Sequence, residues 1–415
     1  MSINRERLQS HLEQLSQIGK IGETGVRRLA HSEEDREAVE VVRGWMAEAG
    51  LKARIDNFGN LIGKLEGKNP DAPVLMIGSH IDSQPYGGRF DGTAGALGAL
   101  EVAQTMMEQG IQSKIPVEVI CFADEEGSRF GKGTFGSRGI TDQLETGEIE
   151  RKDKNGVSRR QALESFGCNP DDMERSEYSE GDIQAFIELH IEQGPVLEKK
   201  EIPVGIVSGI SGPLWMTVSF EGFAGHAGSV PMNLRQDALV GSSEVISQFD
   251  NIVKQDPNAS TVGTVGSLHV FPDSRNIIPE KVEFTIDLRD IDINRRNQYE
   301  NELMKVVKTT AEKYQLTYSI REDMRNDPSY CNHSIKEMMR IESEEMGLDA
   351  PELMSGPFHD ALSLSQVCDY GMIFVRCKDG ISHNPAEYAS YQDIAEGVEL
   401  MYRTAVRIVQ DEIRH

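Results

Sequence analysis

The residues best suited to chemistry are histidines and carboxylates that directly follow short apolar runs. His80 comes after the run Pro73–Gly78, and Asp82 follows it two residues later. A histidine in this spacing can bind a metal ion while the aspartate orients its imidazole ring. A lone histidine is more often structural, so His80 and Asp82 need partners elsewhere in the chain before they define a site.

Asp91 lies at the start of a helix that the sequence predicts for Gly92–Gln109. Because aspartate is a preferred N-cap residue, a purely structural role would explain it. Held at the same strand end as His80, its carboxylate could instead bridge two cations. Capping and metal binding can coexist in one side chain, so both interpretations stay open.

Three consecutive acids, Asp124, Glu125 and Glu126, follow the predicted buried strand Ile115–Ala123. Neighbouring like charges repel one another, and a solvated loop explains them poorly directly after so apolar a strand. Adjacent carboxylates can divide the work of hydrolysis: one binds a metal ion, and the other takes a proton from a water molecule that the metal activates. The pattern therefore favours a functional role.

Two further histidines occupy similar positions at strand ends. His190 lies near the end of the apolar segment Ala185–Ile191, and His383 follows the predicted strand Gly371–Arg376. Ligands bind at the carboxyl ends of strands in open α/β sheets. Two cations that share a carboxylate need about five protein ligands when water completes their shells. The strand ends supply this set: His80, Asp91, Glu126, His190 and His383.

The elements that must position these side chains fall into two groups. Helices alternate with apolar strands up to about residue 210 and again after residue 330, which predicts an α/β layer with a mostly parallel central sheet. Between them, the order β-α-β-β-α-β predicts a ferredoxin-like α+β domain. We therefore predict a catalytic metal-binding domain formed by residues 1–211 and 331–415, with residues 212–330 inserted as a separate domain.

Three local expectations accompany this architecture. Within the inserted domain, a helix is predicted from about Asn233 to Phe249 and a single strand over Thr261–Val270. Outside it, the polar stretch Thr146–Arg160 is expected to be a surface excursion.

The composition argues against several classes of function. The 415 residues include 43 Lys and Arg against 68 Asp and Glu, a net charge of −25, so neither nucleic acid nor an anionic membrane is an expected partner. No apolar run reaches the ~18 residues of a membrane span, and the polar N-terminus lacks the apolar centre of a signal peptide. The five cysteines form no C-x-x-C pair, which indicates a reducing, cytoplasmic location and leaves histidine and carboxylate as metal ligands.

At the level of families, the chain resembles peptidase family M20, and more narrowly its hydantoinase/carbamoylase branch. The resemblance rests on motifs in this order: G-S-H-I-D-S, G-G-R-F-D-G, D-E-E-G, E-L-H-I-E-Q-G, G-H-A-G-S-V-P-M, D-L-R-D and G-I-S-H-N-P-A-E. The branch comprises N-carbamoyl-L-amino-acid hydrolases, allantoate amidohydrolases and β-ureidopropionases. The resemblance implies an α/β metallopeptidase-like catalytic domain and an inserted domain that serves as lid and as the surface of a homodimer.

The resemblance also assigns roles to residues. It implies two metal sites that share Asp91 as a bridge, and it implies Glu125 as the general base and acid. The sites are His80, Asp91 and His190, and Asp91, Glu126 and His383. The family points to zinc or manganese, while the ligand types alone would also suit cobalt or nickel. The positions implied to contact substrate are Gln193, His226, Asn276 and Arg289.

Three of these substrate contacts have plainer explanations. His226 could stabilise an oxyanion, but it could also be a turn residue. The Arg289 guanidinium suits a substrate carboxylate, although from the residues alone a surface salt bridge with Asp287 or Asp290 explains it better. Asn276 could equally be a turn cap.

The chain departs from the family in one motif. The usual S-G-A-G/A-H-D-A corresponds to Ser355–Ala361, which contains Pro357 and Phe358. These residues are bulkier, so we expect them to narrow the substrate pocket. Substrate identity therefore does not follow from the family alone.

The expected function is hydrolysis of the carbamoyl C–N bond of an N-carbamoyl-L-amino acid, with a small ureido carboxylate as substrate. Allantoate amidohydrolase is the close alternative, because both substrates carry a ureido carbonyl and a carboxylate. Gln193 and Arg289 match the ureido-cleaving branch and so disfavour an aminopeptidase or dipeptidase. Glu125 disfavours a non-catalytic metal-binding protein, since a structural site needs no additional base.

Overall fold

The computed structural model describes residues 2–410 and divides into two compact units. The first unit comprises the chain up to Ser208, Cys331–Leu353, and the chain from Phe358 onward. The second unit comprises Gly209–Tyr330 and Met354–Pro357. Each unit has its own sheet and its own buried core.

The helices are α1 (Arg5–Leu15), α2 (Glu33–Glu48), α3 (Thr93–Glu108), α4 (Phe135–Ile140), α5 (Arg159–Phe166), α6 (Val196–Lys200), α7 (Ala238–Val253), α8 (Ile293–Tyr314), α9 (His333–Glu345), α10 (Asp360–Leu364) and α11 (Tyr391–Gln410). The strands are β1 (Lys20–Ile21), β2 (Gly25–Val26), β3 (Lys52–Ile55), β4 (Leu61–Leu65), β5 (Val74–His80), β6 (Val117–Phe122), β7 (Ile183–Ile191), β8 (Val204–Ile210), β9 (Gly212–Glu221), β10 (Gly225–His226), β11 (Val262–Thr264), β12 (Leu268–Phe271), β13 (Ile277–Ile278), β14 (Lys281–Asp290), β15 (Thr317–Arg325), β16 (Ser329–Tyr330), β17 (Glu352–Ser355) and β18 (Asp369–Val375).

The sheet of the first unit has a parallel centre and antiparallel edges. Its order runs β8-β18-β7-β5-β6-β4-β3. Strands β18, β7, β5 and β6 pair in parallel, whereas β8, β4 and β3 join in antiparallel register. Every residue of β5 and β6 is buried, as expected for central strands that are covered on both faces. The predicted mostly parallel α/β sheet is confirmed in this mixed form.

Helix α3 packs unusually close to this sheet because its contact face is built from small residues. A Cβ atom added at Gly95 would lie 1.9 Å from the carbonyl oxygen of Leu189 in β7. At Gly98, an added Cβ would lie 2.7 Å from the side chain of Val398 in α11. The glycines therefore set the depth at which α3, and the loop before it, sits over the strand ends.

The second unit is an antiparallel sheet with two helices on one face. The strand order is β11-β14-β9-β15, with β12 also paired to β14, which is the ferredoxin-like arrangement. Alternate residues of β14 are buried, so one of its faces packs into the core and the other is half-exposed. The core is formed mainly by strands β9 and β14 and helices α7 and α8, and includes Leu214, Val218, Phe220, Phe284, Leu288, Phe249 and Leu303.

Two details within the second unit differ from the sequence expectations. The single strand predicted over Thr261–Val270 is interrupted, giving β11 and β12. Helix α7 begins at Ala238 rather than near Asn233, because the Asp237 side chain accepts hydrogen bonds from the N–H groups of Leu239 and Val240 and so caps the helix there.

Among residues 2–410, no helix combines the length and apolar character that a bilayer crossing requires. This agrees with the absence of a long apolar run in the sequence.

The close packing of α3 gives a stability prediction. Gly95→Ala should lower the free energy of unfolding by about 1–3 kcal/mol, because the new methyl group would overlap the backbone of β7. Gly44→Ala in α2 is the matched control, since an added Cβ there has no heavy atom within 4 Å. The control should raise stability by up to about 1 kcal/mol through helix propensity. Urea unfolding would measure both, and equal effects would contradict this account of the packing.

Candidate metal centre and active site

The sequence-predicted side chains meet at one end of the parallel strands of the first unit. His80 is the last residue of β5, and His190 is the penultimate residue of β7. Glu125 and Glu126 follow β6 after a short turn, and Asp91 directly precedes the start of α3. Because β7, β5 and β6 are parallel neighbours, their carboxyl ends bring these residues together.

Two clusters share the carboxylate of Asp91. Its Oδ1 lies 3.0 Å from His190 Nε2 and 3.5 Å from His80 Nε2. Its Oδ2 lies 3.5 Å from His383 Nε2, which is 3.4 Å from Glu126 Oε2. Each cluster offers three ligand atoms that lie within 4.8 Å of one another, a spacing that could hold a metal ion. The two oxygens of Asp91 thus face different clusters.

The buried histidines are oriented with Nε2 toward the clusters. His80 Nδ1 lies 3.1 Å from the backbone carbonyl of Asp82, and His190 Nδ1 lies 2.9 Å from that of Ile191. A proton on Nδ1 satisfies each carbonyl and leaves Nε2 as a lone-pair donor. Among residues 2–410, His80 Nε2 is buried without a hydrogen-bond partner, which fits a metal ligand.

Asp82 orients His80 through its backbone rather than its side chain. The Asp82 carboxylate is 3.6 Å from His80 Nδ1. Instead, it accepts hydrogen bonds from the N–H groups of Glu125 at 3.2 Å and Glu126 at 3.3 Å. One residue therefore links the imidazole to the acidic loop.

The capping interpretation of Asp91 is not what the structure shows. The N-cap of α3 is Gly92, which has a φ of 62° and no side-chain capping hydrogen bond. The Asp91 carboxylate instead accepts hydrogen bonds from Ser382 Oγ at 2.6 Å and Gln193 Nε2 at 2.9 Å. A Cβ added at Gly92 would lie 2.3 Å from His80 Nε2, so the turn requires glycine.

Glu125 lies beside the clusters but belongs to neither of them. Its Oε2 is 3.6 Å from His80 Nε2, and 11% of its side chain is exposed. Burial raises the pKa of the Glu125 carboxyl well above its usual value against the opposing effect of His80, and the charges of Asp360 and Glu126 act in the same direction as burial. A carboxyl with a raised pKa can accept and return a proton, which suits an acid–base catalyst.

Asp91 has the opposite electrostatic behaviour. Burial would raise its pKa, but His190 and His80 outweigh burial and hold the pKa well below the usual value. Asp91 is therefore an anion, as a metal ligand must be. Burial and the charge of Asp91 raise the pKa of Glu126 well above its usual value.

A buried ion pair fixes the backbone just before Glu125. Asp124 has a φ of 54°, and its Oδ2 accepts a hydrogen bond from Arg159 Nη2 at 2.7 Å. Arg159 also contacts Glu148 at 3.1 Å and lies 4.0 Å above the ring of Phe135. The surface excursion expected for Thr146–Arg160 holds for most of the stretch, but it is wrong for Glu148 and Arg159, which are buried.

Two other buried acids support the site and were missed from the sequence. Glu387 Oε1 accepts hydrogen bonds from the N–H groups of Phe90 at 2.9 Å and Asp91 at 3.0 Å. Glu188 accepts hydrogen bonds from Ser79 Oγ at 2.8 Å and the N–H of Ala361 at 3.1 Å. Glu387 is the last residue of the motif G-I-S-H-N-P-A-E, and Glu188 is the first residue of E-L-H-I-E-Q-G. These positions within the motifs were the signal that could have identified both acids.

The substrate-contacting positions implied by the family are divided between the units. Gln193 is in the first unit, beside Asp91, whereas His226, Asn276 and Arg289 are in the second. His226 and Asn276 are neighbours there, since β10 pairs with β13 and Ala227 N–H donates to the Asn276 carbonyl at 2.9 Å. His226 is exposed, and its Nδ1 accepts a hydrogen bond from Gly228 N–H at 3.1 Å.

Arg289 forms a salt bridge with Asp287, one of the two partners that the sequence suggested. Its Nε donates to Asp287 Oδ1 at 2.9 Å, its Nη2 donates to Asp287 Oδ2 at 2.8 Å, and its Nη1 donates to the Gly356 carbonyl at 2.8 Å. Asp290, the other candidate partner, pairs with Arg295 at 2.6 Å. A guanidinium has five N–H donors, so these contacts leave two for another acceptor.

Parallel strands that carry histidines and carboxylates at their carboxyl ends, gathered around a shared aspartate, are the architecture of an α/β metallohydrolase. Residues 76–407 match the model of peptidase family M20/M25/M40. The chain belongs to this family of metal-dependent hydrolases, and its relatives are amidohydrolases that act on C–N bonds. The fold and family predicted from the sequence are confirmed.

Three comparisons describe the relatives. The chain is 46% identical to an N-carbamoyl-L-amino-acid amidohydrolase from Pseudomonas sp. (strain NS671) over 409 residues, which is 98% of this chain and 99% of that protein. It is 33% identical to an allantoate deiminase from Arabidopsis thaliana, covering 96% of this chain and 82% of that one. The crystal structure of an amidase of the hydantoinase/carbamoylase family from Burkholderia multivorans superposes with a TM-score of 0.93 at 33% identity, covering 99% of both chains.

The ion pair between Asp124 and Arg159 predicts that substitutions of these two residues have coupled effects on stability. Arg159→Met should destabilise the protein by about 3–5 kcal/mol, because it leaves the Asp124 carboxylate buried without its partner. Adding Asp124→Asn removes that charge, so the double variant should be less destabilised than the sum of the two single variants. Arg160→Met, which changes an exposed neighbour, should leave thermal unfolding nearly unchanged. Additive effects would show that the pair does not act as a unit.

Proposed function

We propose that this enzyme hydrolyses the carbamoyl C–N bond of N-carbamoyl-L-amino acids. The observation that carries the proposal is the shared Asp91 carboxylate, whose two oxygens face two separate clusters while Glu125 stands beside them. Similarity to the Pseudomonas relative over nearly the whole chain supports the choice of substrate. Hydrolysis of such a substrate, a small ureido carboxylate, needs an activated water molecule and a site that binds the substrate carboxylate.

Two divalent cations would be held in each subunit by His80, Asp91 and His190, and by Asp91, Glu126 and His383. Histidine with carboxylate suits zinc or manganese, and also cobalt or nickel. When bound, such a pair of ions lowers the pKa of water and polarises a carbonyl group. Nearby buried acids, including Glu125 and Glu126, repel one another, which favours cations at this position.

Glu125 would move the proton. Its carboxylate is held next to His80 by the backbone hydrogen bond to Asp82, so it is fixed without occupying a ligand position. It takes a proton from the attacking water molecule and passes it to the leaving nitrogen of the substrate. Its raised pKa makes Glu125 a stronger base than an ordinary glutamate toward the proton of the attacking water molecule.

Within each unit, specific side chains are suited to substrate recognition. Gln193 Oε1 is buried without a hydrogen-bond partner among residues 2–410, so it can accept an N–H of the ureido group. Arg289 would bind the substrate carboxylate with its remaining donors, and Asn276 would add a polar contact. His226 Nε2 would donate to the developing oxyanion. Pro357 and Phe358 are expected to narrow the pocket.

Allantoate hydrolysis is the second candidate, supported by similarity to the Arabidopsis allantoate deiminase. A product assay separates the two. Enzyme reconstituted with manganese or zinc would be offered allantoate and several N-carbamoyl-L-amino acids, and release of ammonia and of amino acid would be recorded. We expect the highest kcat/KM with an N-carbamoyl-L-amino acid. A preference for allantoate would replace the first proposal with the second, and cleavage of dipeptides alone would reject both.

We also propose a cytoplasmic homodimer formed through the second unit. The five cysteines are free thiols, which fits a reducing compartment. Of the large hydrophobic side chains that are exposed among residues 2–410, ten of fourteen lie in Gly209–Tyr330. Concentrated apolar exposure of this kind marks interaction surfaces. Light scattering should give a mass of two chains, and a single-chain mass would reject the dimer.

The role of Glu125 predicts a separation of metal binding from turnover. Glu125→Gln should retain wild-type metal content but lower kcat by about 100-fold or more, because the amide cannot accept the proton. Asp91→Asn is the comparison variant, and it should lose both metal and activity because it weakens both clusters. Metal content by elemental analysis and turnover on the same samples test this. Wild-type turnover of Glu125→Gln would remove Glu125 as the base.

The role of Arg289 predicts an effect on substrate binding. Arg289→Lys should raise KM for a carboxylate-bearing substrate with a smaller change in kcat, because lysine lacks the two-pronged geometry. Arg295→Lys is the matched control, since Arg295 pairs with Asp290 at the end of the same strand. An unchanged KM for Arg289→Lys would leave Arg289 with only its structural salt bridge to Asp287.

A further inference from the structure

The first unit contains a cavity whose lining residues are distinct from the candidate metal clusters. It has a volume of about 590 Å³, within the range of small-molecule sites, and no residue of the two candidate metal clusters lines it. Its walls come from the β1–β2 region, the start of α2, the loop after Glu126 and the turn at Asp153–Asn155. These segments have no part in the function proposed above.

The cavity is positively charged in a strongly acidic protein. Four basic side chains line it, against two acids, in a chain with a net charge of −25. The basic residues are Lys20, Arg27, Arg129 and Lys154, and the acids are Glu34 and Asp153. In a chain with an excess of 25 acids, a lining in which basic side chains outnumber acids two to one favours an anionic ligand.

One of the two acids, Asp153, already accepts three hydrogen bonds from the protein. Asp153 accepts hydrogen bonds from Arg129 Nε at 3.0 Å and from the N–H groups of Asn155 at 2.9 Å and Val157 at 3.0 Å. Arg129 Nη1 donates to the Ala30 carbonyl at 2.8 Å, so this guanidinium is rigidly held at the wall. Its Nη2 forms no hydrogen bond within residues 2–410 and remains as a donor.

The other basic residues are available for a ligand. Across the described part of the chain, Arg27 and Lys154 form neither an ion pair nor a side-chain hydrogen bond, and Lys20 has one contact of 3.4 Å with Gln17. Ser32, the N-cap of helix α2, also lines the cavity and offers a hydroxyl group. Ile21 and Leu29 offer apolar wall for a carbon skeleton.

We propose that this cavity binds a small organic anion with more than one negative charge, carried by carboxylate or phosphate groups. Arg129 and the pair Arg27 and Lys154 hold the anionic groups, and the apolar wall contacts the carbon atoms between them. The net charge of the lining matches two negative charges on the ligand.

The ligand would touch two loops that lead to the candidate metal centre. Pro85 lines the cavity and follows Gln84, whose Nε2 donates to Glu126 Oε2 at 2.6 Å. Ser128 also lines it, two residues after Glu126. An anion that bridges these walls should therefore stabilise the loops and raise the thermal unfolding midpoint of the metal-loaded enzyme.

The test is calorimetric titration of the metal-loaded enzyme with glycerol 3-phosphate and with tricarballylate, at an ionic strength held constant with sodium chloride. We expect saturable binding with a Kd of about 1 mM or tighter for at least one probe. Arg27→Gln/Lys154→Gln should weaken binding at least tenfold and leave turnover without the anion unchanged. Lys305→Gln/Lys308→Gln, which removes two exposed cations from α8, should bind as the wild type does.

Each outcome decides the proposal. Loss of binding only in the Arg27 and Lys154 variant supports the cavity, and the tighter probe identifies the preferred anionic group. Wild-type affinity in that variant, or displacement of the probe by substrate, would place the anion at the metal centre and reject the cavity. Absence of saturable binding with both probes would also reject it. Because turnover is measured separately, failure here leaves the proposed hydrolase function untouched.

Discussion

The candidate site depends on the carboxylate of Asp91, whose two oxygens must each face a different cluster of side chains. Asp91 places one oxygen beside His190 and His80 and the other beside His383, and a rotation of its side chain would lose both relations. Its position is set by the backbone, since Glu387 accepts its N–H and Gly92 turns the chain against the His80 ring. Because the contact face of α3 is built from small residues, the turn at Gly92 can lie close to the strand ends that carry His80 and His190.

Several acids are buried around the Asp91 carboxylate, and their negative charges repel one another. Carboxylates removed from water are costly unless they are paired or protonated, and the raised pKa values of Glu125, Glu126 and Asp360 express that cost. Arg159 compensates Asp124, whereas Glu125 lies 3.6 Å from His80 and Glu126 lies 3.4 Å from His383. Divalent cations would offset this repulsion, so ion binding and stability of the site are coupled.

The sequence identified the side chains that cluster around Asp91 better than the side chains that hold them in place. Apolar strands followed by histidine or acid are visible as a pattern, so His80, Asp91, Glu126, His190 and His383 could be gathered from their strand ends. Arg159 could not, because a buried arginine in a polar segment looks like a surface residue until its partner is known, and Glu387 had only its place at the end of a motif as a signal. Likewise, residues 265–267 interrupt an apparently continuous strand between β11 and β12, a break that the alternation of side chains does not reveal.

The clustered side chains and most of the proposed substrate-binding residues belong to different folding units. All five clustered ligands and Glu125 lie in the first unit, whereas His226, Asn276 and Arg289 lie in the second. A centre of this kind activates water for any accessible carbonyl, so it constrains the reaction but not the acid that is attached to the ureido group. Relatives named for N-carbamoyl amino acids and for allantoate share most of the chain with this protein. Under the proposed function, selection between such substrates would act on Arg289, Asn276, Pro357 and Phe358, none of which belongs to the two clusters around Asp91.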